Sequence, residues 1–185
     1  KNQLINLTFE INKGRRIYIE RIEIIGNIRT LDSVIRREIP IAEGDAFNVS
    51  KIRFSKQKIF DLGFFETVSI NHTVGSSPDK ILIKVKVSEK STGQLSFGIG
   101  ASSEGPMGDV SIRERNFLGK GQDLFLSTKL GSQTNQIDFS FTEPYFLDRK
   151  ISTGIDIFKT SRDLKSISSF EKESFGGKLR IGYEL

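Results

Sequence analysis

The 185-residue sequence contains no cysteine and no tryptophan, a single histidine (His72), one methionine and four prolines. Without cysteine there is no disulfide, thiolate nucleophile or thiolate-bound metal, and nothing marks the redox compartment. One histidine leaves neither a His-based metal cluster nor a Ser-His-Asp triad. Long apolar runs are also missing. No stretch reaches the roughly 18–20 consecutive apolar residues of a spanning helix, in line with a hydrophobic fraction of 36% and a mean hydropathy of −0.27. That excludes helical membrane spans but not a membrane barrel, whose alternating strands look soluble on average. No secretory leader is visible at Lys1-Asn2-Gln3, where the chain is already inside an alternating pattern. A piece cut from a longer protein is the expectation.

Twenty-eight Lys and Arg against 23 Asp and Glu give a net charge of +5. A basic balance suits nucleic acid or anionic lipid. Here the basic residues are scattered, and the densest groups, Arg15-Arg16 and Arg36-Arg37, are only pairs. No nucleic-acid partner is expected. Glu104, Asp109, Glu114 and Asp123 show no spacing that selects a catalytic pair, so an enzyme is not expected either. Asn71-His72-Thr73 matches a glycosylation sequon by chance composition.

Secondary-structure signals divide the chain near residue 90. In the first part, Ile5, Leu7, Phe9 and Ile11 alternate with polar residues up to a turn at Asn12-Lys13-Gly14. Arg16–Ile25 reads as a strand apolar on both faces, stopped by the turn dipeptide Gly26-Asn27. Thr30 is the expected N-cap of a short helix carrying Leu31, Val34 and Ile35, which Pro40 ends. A second helix starts at Asn48, with Val49, Ile52, Ile59 and Phe60 as its buried stripe and Gly63 as its C′ residue. Two strands follow. Val68, Ile70, His72 and Val74 share one face, with His72 expected to be packed. Ile81, Ile83, Val85 and Val87 line the return strand opposite Lys80, Lys84 and Lys86. The order β-α-α-β-β is a layered α+β unit.

Beyond Ser91 six alternating segments succeed one another. Leu95, Phe97, Ile99 and Ala101 oppose Gln94, Ser96, Gly98 and Gly100, and a second segment runs about Asp109 to Asn116. Leu124, Leu126, Thr128 and Leu130 oppose Phe125, Ser127 and Lys129; Ile137, Phe139 and Phe141 oppose Asp138, Ser140 and Thr142. Ile155 and Ile157 oppose Gly154 and Asp156; Leu179 and Ile181 oppose Lys178, Arg180 and Glu184. Short turns at Leu118–Gln122 and Leu147–Lys150 alternate with longer connections at Ser102–Gly108, Gly131–Gln136 and Ser161–Ser174. Long loops on one rim and short turns on the other describe an up-and-down transmembrane meander. A soluble antiparallel sandwich alternates in the same way, and periodicity alone leaves both open.

The order of motifs adds a resemblance. The unit carrying Ile24-Ile25-Gly26-Asn27, Val34-Ile35-Arg36-Arg37-Glu38 and Leu62-Gly63-Phe64-Phe65 resembles a POTRA domain. Glu89-Lys90-Ser91-Thr92-Gly93, Asn116-Phe117-Leu118-Gly119-Lys120-Gly121 and Glu143-Pro144-Tyr145-Phe146 resemble the barrel start of the BamA family of outer-membrane protein assembly factors. The resemblance implies the end of a preceding POTRA domain at 1–13, a POTRA domain over 14–90, and about six strands of an incomplete barrel over 91–185. Gly26, Asn27, Gly63, Phe64 and Phe65 would be the POTRA motif residues. Asn116, Leu118, Gly119, Gly121, Pro144, Tyr145 and Phe146 would be the barrel-turn residues. The implied function is non-enzymatic insertion of β-barrel proteins into the outer membrane of a Gram-negative bacterium, with the POTRA part in the periplasm. Implied partners are unfolded outer-membrane protein clients, accessory assembly lipoproteins and outer-membrane lipid; no ATP, metal or other cofactor is implied.

Within that resemblance, Gly93, Gln94, Leu95, Ser96, Phe97, Gly98, Ile99 and Gly100 belong to a lateral-gate strand whose open edge pairs with clients. Gly98 and Gly100 weaken local pairing on that reading; on the other they make room for bulky neighbours. Asn116–Gly121 is a tight turn and lacks the Gly-x-x-x-x-Gly-Lys-Ser/Thr spacing of a phosphate loop. Tyr145 and Phe146 suit an interfacial girdle or a soluble core edge. A polypeptide-secretion pore of the same superfamily and a soluble β-rich binding module are the alternative functions.

Overall fold

A computed structural model describes residues 8–9, 15–102, 104–163 and 170–183. The alternation at Ile5, Leu7 and Ile11, the turn at Asn12–Gly14, and Glu184 lie outside the described residues. The first unit has three strands, β1 (Tyr18–Ile25), β2 (Phe65–Val74) and β3 (Lys80–Glu89), and two helices, α1 (Asp32–Arg36) and α2 (Val49–Asp61). Strand order is β1-β3-β2, with β1 parallel to β3 and β2 antiparallel to it. The central strand is therefore the last in sequence. Its alternation is strict: Ile81, Ile83, Val85 and Val87 are all buried and Lys84 and Lys86 exposed, as one face against helices and one against water requires.

The helices close that core. Asn48 caps α2, its side-chain oxygen accepting from the backbone N–H groups of Ser50 (2.9 Å) and Lys51 (3.1 Å). Gly63 follows the helix at φ +76°. The buried stripe differs from the expected one. Ile59 is buried and Ile52 packs against the core, but Val49 and Phe60 are about half exposed, and Ser55 is buried in their place. Ser55 survives there because its hydroxyl donates to the Lys51 carbonyl four residues earlier, at 2.8 Å. His72 is exposed rather than packed, near the outer end of β2, with its ring 5.1 Å from that of Phe47.

The second unit is a six-stranded antiparallel meander. It runs β4 (Gly93–Ser102), β5 (Gly105–Phe117), β6 (Gln122–Gly131), β7 (Thr134–Glu143), β8 (Ile151–Asp163) and β9 (Glu171–Tyr183), each paired with its neighbours in sequence. The sheet is not closed among the described residues. Register keeps one apolar face continuous: Leu95 opposes Ile112, Ile112 opposes Leu126, Leu126 opposes Phe139, Phe139 opposes Ile157. The other face is polar, with an Arg113–Asp123 ion pair at 2.5 Å and Arg180 bonded to Asp156, Ser140 and Thr142. Gly154 leaves the space that the Arg180 guanidinium fills.

Connection lengths depart from expectation. Two of the supposedly long loops reduce to residues 103–104 and 132–133, because β5 and β7 begin as far back as Gly105 and Thr134. The turns on the opposite rim span 118–121 and 144–150, the latter containing a short 3-10 turn at Phe146–Asp148. The third expected long connection, Ser161–Ser174, falls largely outside the described residues. Contact with the first unit marks the rim of the 118–121 and 144–150 turns.

Candidate functional site at the junction of the two sheets

The connector Lys90-Ser91-Thr92 is short, and it is bolted at both ends. The Lys90 N–H donates to the Phe64 carbonyl at 3.0 Å and the Arg115 N–H to the Thr92 carbonyl at 3.4 Å. The Thr92 hydroxyl donates to the Glu114 carboxylate, which also accepts the Asn116 N–H at 3.0 Å. Glu89, one residue before the connector, accepts the backbone N–H groups of Arg29 (3.0 Å) and Thr30 (2.7 Å). Partial burial raises the Glu89 pKa, but these backbone donors outweigh it and hold the carboxyl below its ordinary value.

The ring is completed by Asn116 and Thr30, both buried. Asn116 Nδ2 donates to Thr30 Oγ1 at 2.8 Å, and Asn116 Oδ1 accepts the Gly121 N–H at 2.8 Å. Thr30 therefore does not cap α1, whose N-cap is Leu31 with no side-chain bond; its hydroxyl faces the second unit instead. The Leu31 N–H donates to the Gly119 carbonyl at 2.9 Å. Both glycines of this turn have φ +72°. A Cβ on Gly119 would collide with the Arg29 carbonyl, and one on Gly121 would meet Arg37 Nη2 at 2.7 Å and Val34 at 3.4 Å. Close approach of two backbones, besides the positive φ, thus requires glycine at 119, while at 121 the positive φ is joined by the Arg37 and Val34 side chains.

The second motif docks just past the C-terminal end of α1. Tyr145 donates from its hydroxyl to Glu38 Oε1 at 3.0 Å, and the Arg37 guanidinium stacks 3.9 Å above its ring. Glu143 shapes that turn by accepting the Tyr145 N–H (2.9 Å) and Gln122 Nε2 (2.6 Å). So Asn116, Gly119, Gly121 and Tyr145 are brought together against Thr30–Glu38. Leu118 and Phe146 point away and are exposed. Phe64 and Phe65 are buried at the start of β2, and Gly26 and Asn27 form the turn before α1, where Asn27 Nδ2 donates to the Thr30 carbonyl at 3.0 Å.

Gly93–Gly100 form most of β4, an edge strand whose one partner among the described residues is β5. Leu95, Phe97 and Ile99 are exposed, Ile99 at 97%. The two glycines differ. Gly98 is crowded by the Asp109 side chain opposite, whereas Gly100 has only Met107 within reach, at 3.8 Å. Glu104, Asp109, Glu114 and Asp123 do not converge: Glu104 bonds Thr134, Asp123 pairs with Arg113, and Glu114 belongs to the junction. Among the described residues no group of three or more His, Asp or Glu is placed to hold a metal ion. Sequence reasoning missed Thr30, Arg37, Glu38, Glu89 and Glu114 as junction residues; the signal was a buried Thr and an Asn whose partners lie 86 positions apart.

Family comparison agrees with this geometry. Residues 17–90 match the POTRA model, described as a surface antigen variable number repeat, and residues 116–185 match the Omp85 superfamily domain. The outer membrane protein assembly factor BamA of Nitratidesulfovibrio vulgaris is 33% identical over 182 residues, 98% of this chain. The chain spans 23% of that relative's length. The crystal structure of Haemophilus ducreyi BamA lacking POTRA domains 1–3 superposes with a TM-score of 0.79 at 32% identity, covering 92% of this chain and 33% of that one. CdiB from Escherichia coli shares the fold at 15% identity and a TM-score of 0.58, covering 88% of this chain and 32% of that one. With one POTRA unit bolted to six strands of an Omp85 barrel, the chain belongs to the BamA family.

Proposed function

We propose that this chain is the junction of an outer-membrane β-barrel assembly factor, with residues 14–90 in the periplasm as its last POTRA domain. Residues 91–185 would form the first strands of a barrel in the outer membrane, and residues 1–13 the end of a preceding POTRA domain. The activity is non-enzymatic: unfolded outer-membrane proteins gain strands by pairing with Gly93–Gly100 at the seam, and the free edge of β2 holds extended clients on the way. Accessory lipoproteins and outer-membrane lipid are the other partners this reading carries. Its supporting observation is β4, an edge strand with an apolar face and, among the described residues, one unpaired side. Backbone groups entering hydrocarbon must be hydrogen-bonded, so a preformed edge lowers the barrier to insertion. Identity of about a third to proteins named as outer membrane protein assembly factors supports the assembly reading.

The test is disulfide trapping in the full-length protein, with Ser96→Cys and Ile99→Cys paired against single cysteines in the terminal strand of an arrested client. Crosslinks that shift in step along both strands are expected. Absence of any β4 crosslink while the client is trapped elsewhere on the protein would sink this reading.

A further inference from the structure

The POTRA unit carries the most exposed large apolar residue but one among those described: Ile28, at 92%. It lies in the loop whose next residues, Arg29–Leu31, press on the turn at Gly119. Leu118, immediately before Gly119, is 69% exposed, and Leu147 in the neighbouring turn is 76% exposed. Both leucines have φ +54°, and both follow a phenylalanine, Phe117 and Phe146. A left-handed conformation is unfavourable at a non-glycine residue, so each turn holds its leucine outward against a local penalty. Exposed cations outnumber acids beside these residues: Arg29 follows Ile28, Lys120 lies two past Leu118, and Arg149 and Lys150 follow the exposed Asp148 after Leu147. Apolar side chains ringed by Arg and Lys, on the rim where a lipid-facing band ends, are the composition of a bilayer interface.

We infer that the Ile28 loop of the POTRA unit inserts into the inner-leaflet interface beside Leu118 and Leu147, so that the POTRA domain is itself a phospholipid-binding element. This rests on the barrel reading, because continuity with the apolar band of Leu124 and Leu126 is what selects lipid over a protein partner. The loop is tied to the barrel by the Leu31–Gly119 bond, so its depth is set by the turn and does not depend on free motion of the domain.

The experiment is a depth measurement on the full-length protein, with cysteines outside this chain replaced, in bilayers of phosphatidylethanolamine and phosphatidylglycerol. Nitroxide labels are placed in turn through Ile28→Cys, Leu126→Cys (apolar face of β6) and Lys56→Cys (exposed on α2). Collision with oxygen exceeding collision with Ni(II)-EDDA at positions 126 and 28, and the reverse at 56, is the expected result. If position 126 is in lipid while 28 matches 56, the inference fails and the barrel reading stands. If position 126 is also aqueous, the barrel reading fails and takes the inference with it.

Discussion

Asn116 and Thr30 are 86 positions apart in sequence, yet the amide of one donates to the hydroxyl of the other at 2.8 Å in a buried setting. One side chain serves two domains, because the same Asn116 holds the Gly121 N–H with its oxygen. Asn116→Ala takes one partner from the Thr30 hydroxyl, which keeps its bond to Glu89, and leaves the Gly121 N–H without its acceptor. A buried orphan costs roughly 1–3 kcal/mol. Hydrogen exchange at the Gly121 amide should accelerate accordingly. Asn116→Asp, which keeps the acceptor for Gly121, should protect that amide better than alanine while still losing the bond to Thr30.

Gly119 and Gly121 share a φ of +72° but face different neighbours. Gly119→Ala drives a methyl into the rigid Arg29 carbonyl, whereas Gly121→Ala meets chiefly the movable end of Arg37. Overpacking costs about 1–3 kcal/mol beyond the backbone strain. Limited proteolysis of the connector at Lys90 should therefore be faster in Gly119→Ala than in Gly121→Ala. Equal rates would mean that backbone strain alone, common to both, sets the cost.

Glu89 gives the junction a pH dependence. Its pKa is lowered in the folded state by the N–H groups of Thr30 and Arg29. A depressed carboxyl contributes stability that is complete above its unfolded value, about 4.3, and is lost as pH falls through the folded value. Protection of the Arg29 and Thr30 amides should thus be constant from neutrality down to that range and fall below it. Glu89→Gln should show weaker protection at neutral pH and no such acid step.

The two faces of β6 can be told apart by charge. Leu126 shares a face with Ile112 and Phe139, while Ser127 opposes Ser111 and Asp138 on the polar side. Arginine on a lipid face near the bilayer centre costs about 2–4 kcal/mol. Leu126→Arg should lose that much stability on folding into bilayers, and Ser127→Arg much less. Similar costs at both positions would contradict a membrane-facing assignment of the apolar side.

In the POTRA core, Phe65 is fully buried at the start of β2, in one cluster with Ile59 and Val85. Phe65→Ala removes a whole ring from a packed site, at a cost of about 3–5 kcal/mol. Denaturant unfolding of the full-length protein should show the POTRA transition shifted by that amount. An unchanged barrel transition would show that the two units unfold separately despite the bolted connector.

Where period-two alternation was strict, the fold was legible: Ile81 to Val87, and Leu124 to Leu130, fall on the faces their spacing predicts. The helical stripe was less so, because apolarity put Val49 and Phe60 inside while a serine able to bond its own helix took the place at 55. His72 lies on the face of Val68 by parity, yet it is exposed, with only the Phe47 ring recorded against its own. Strand order was illegible, since nothing local says that β1 lies parallel to β3. The turn motifs were visible from their glycines, but their purpose was not. Local chemistry shows that Gly119 permits a turn; only the tertiary structure shows that the missing side chain is the seat of Arg29.

The three-residue connector leads from β3 into β4 while clamped to Phe64, Glu114 and Arg115. In a strand, one inserted residue exchanges inside for outside. Lengthening the connector by one would set the clamp against the barrel wall: either Thr92 stays bonded and Phe97 and Ile99 turn to the lumen, or the faces are kept and the bolt opens. The length of Lys90–Thr92 thus works as a phase setting, through which a domain in water dictates which side of a distant strand meets oil.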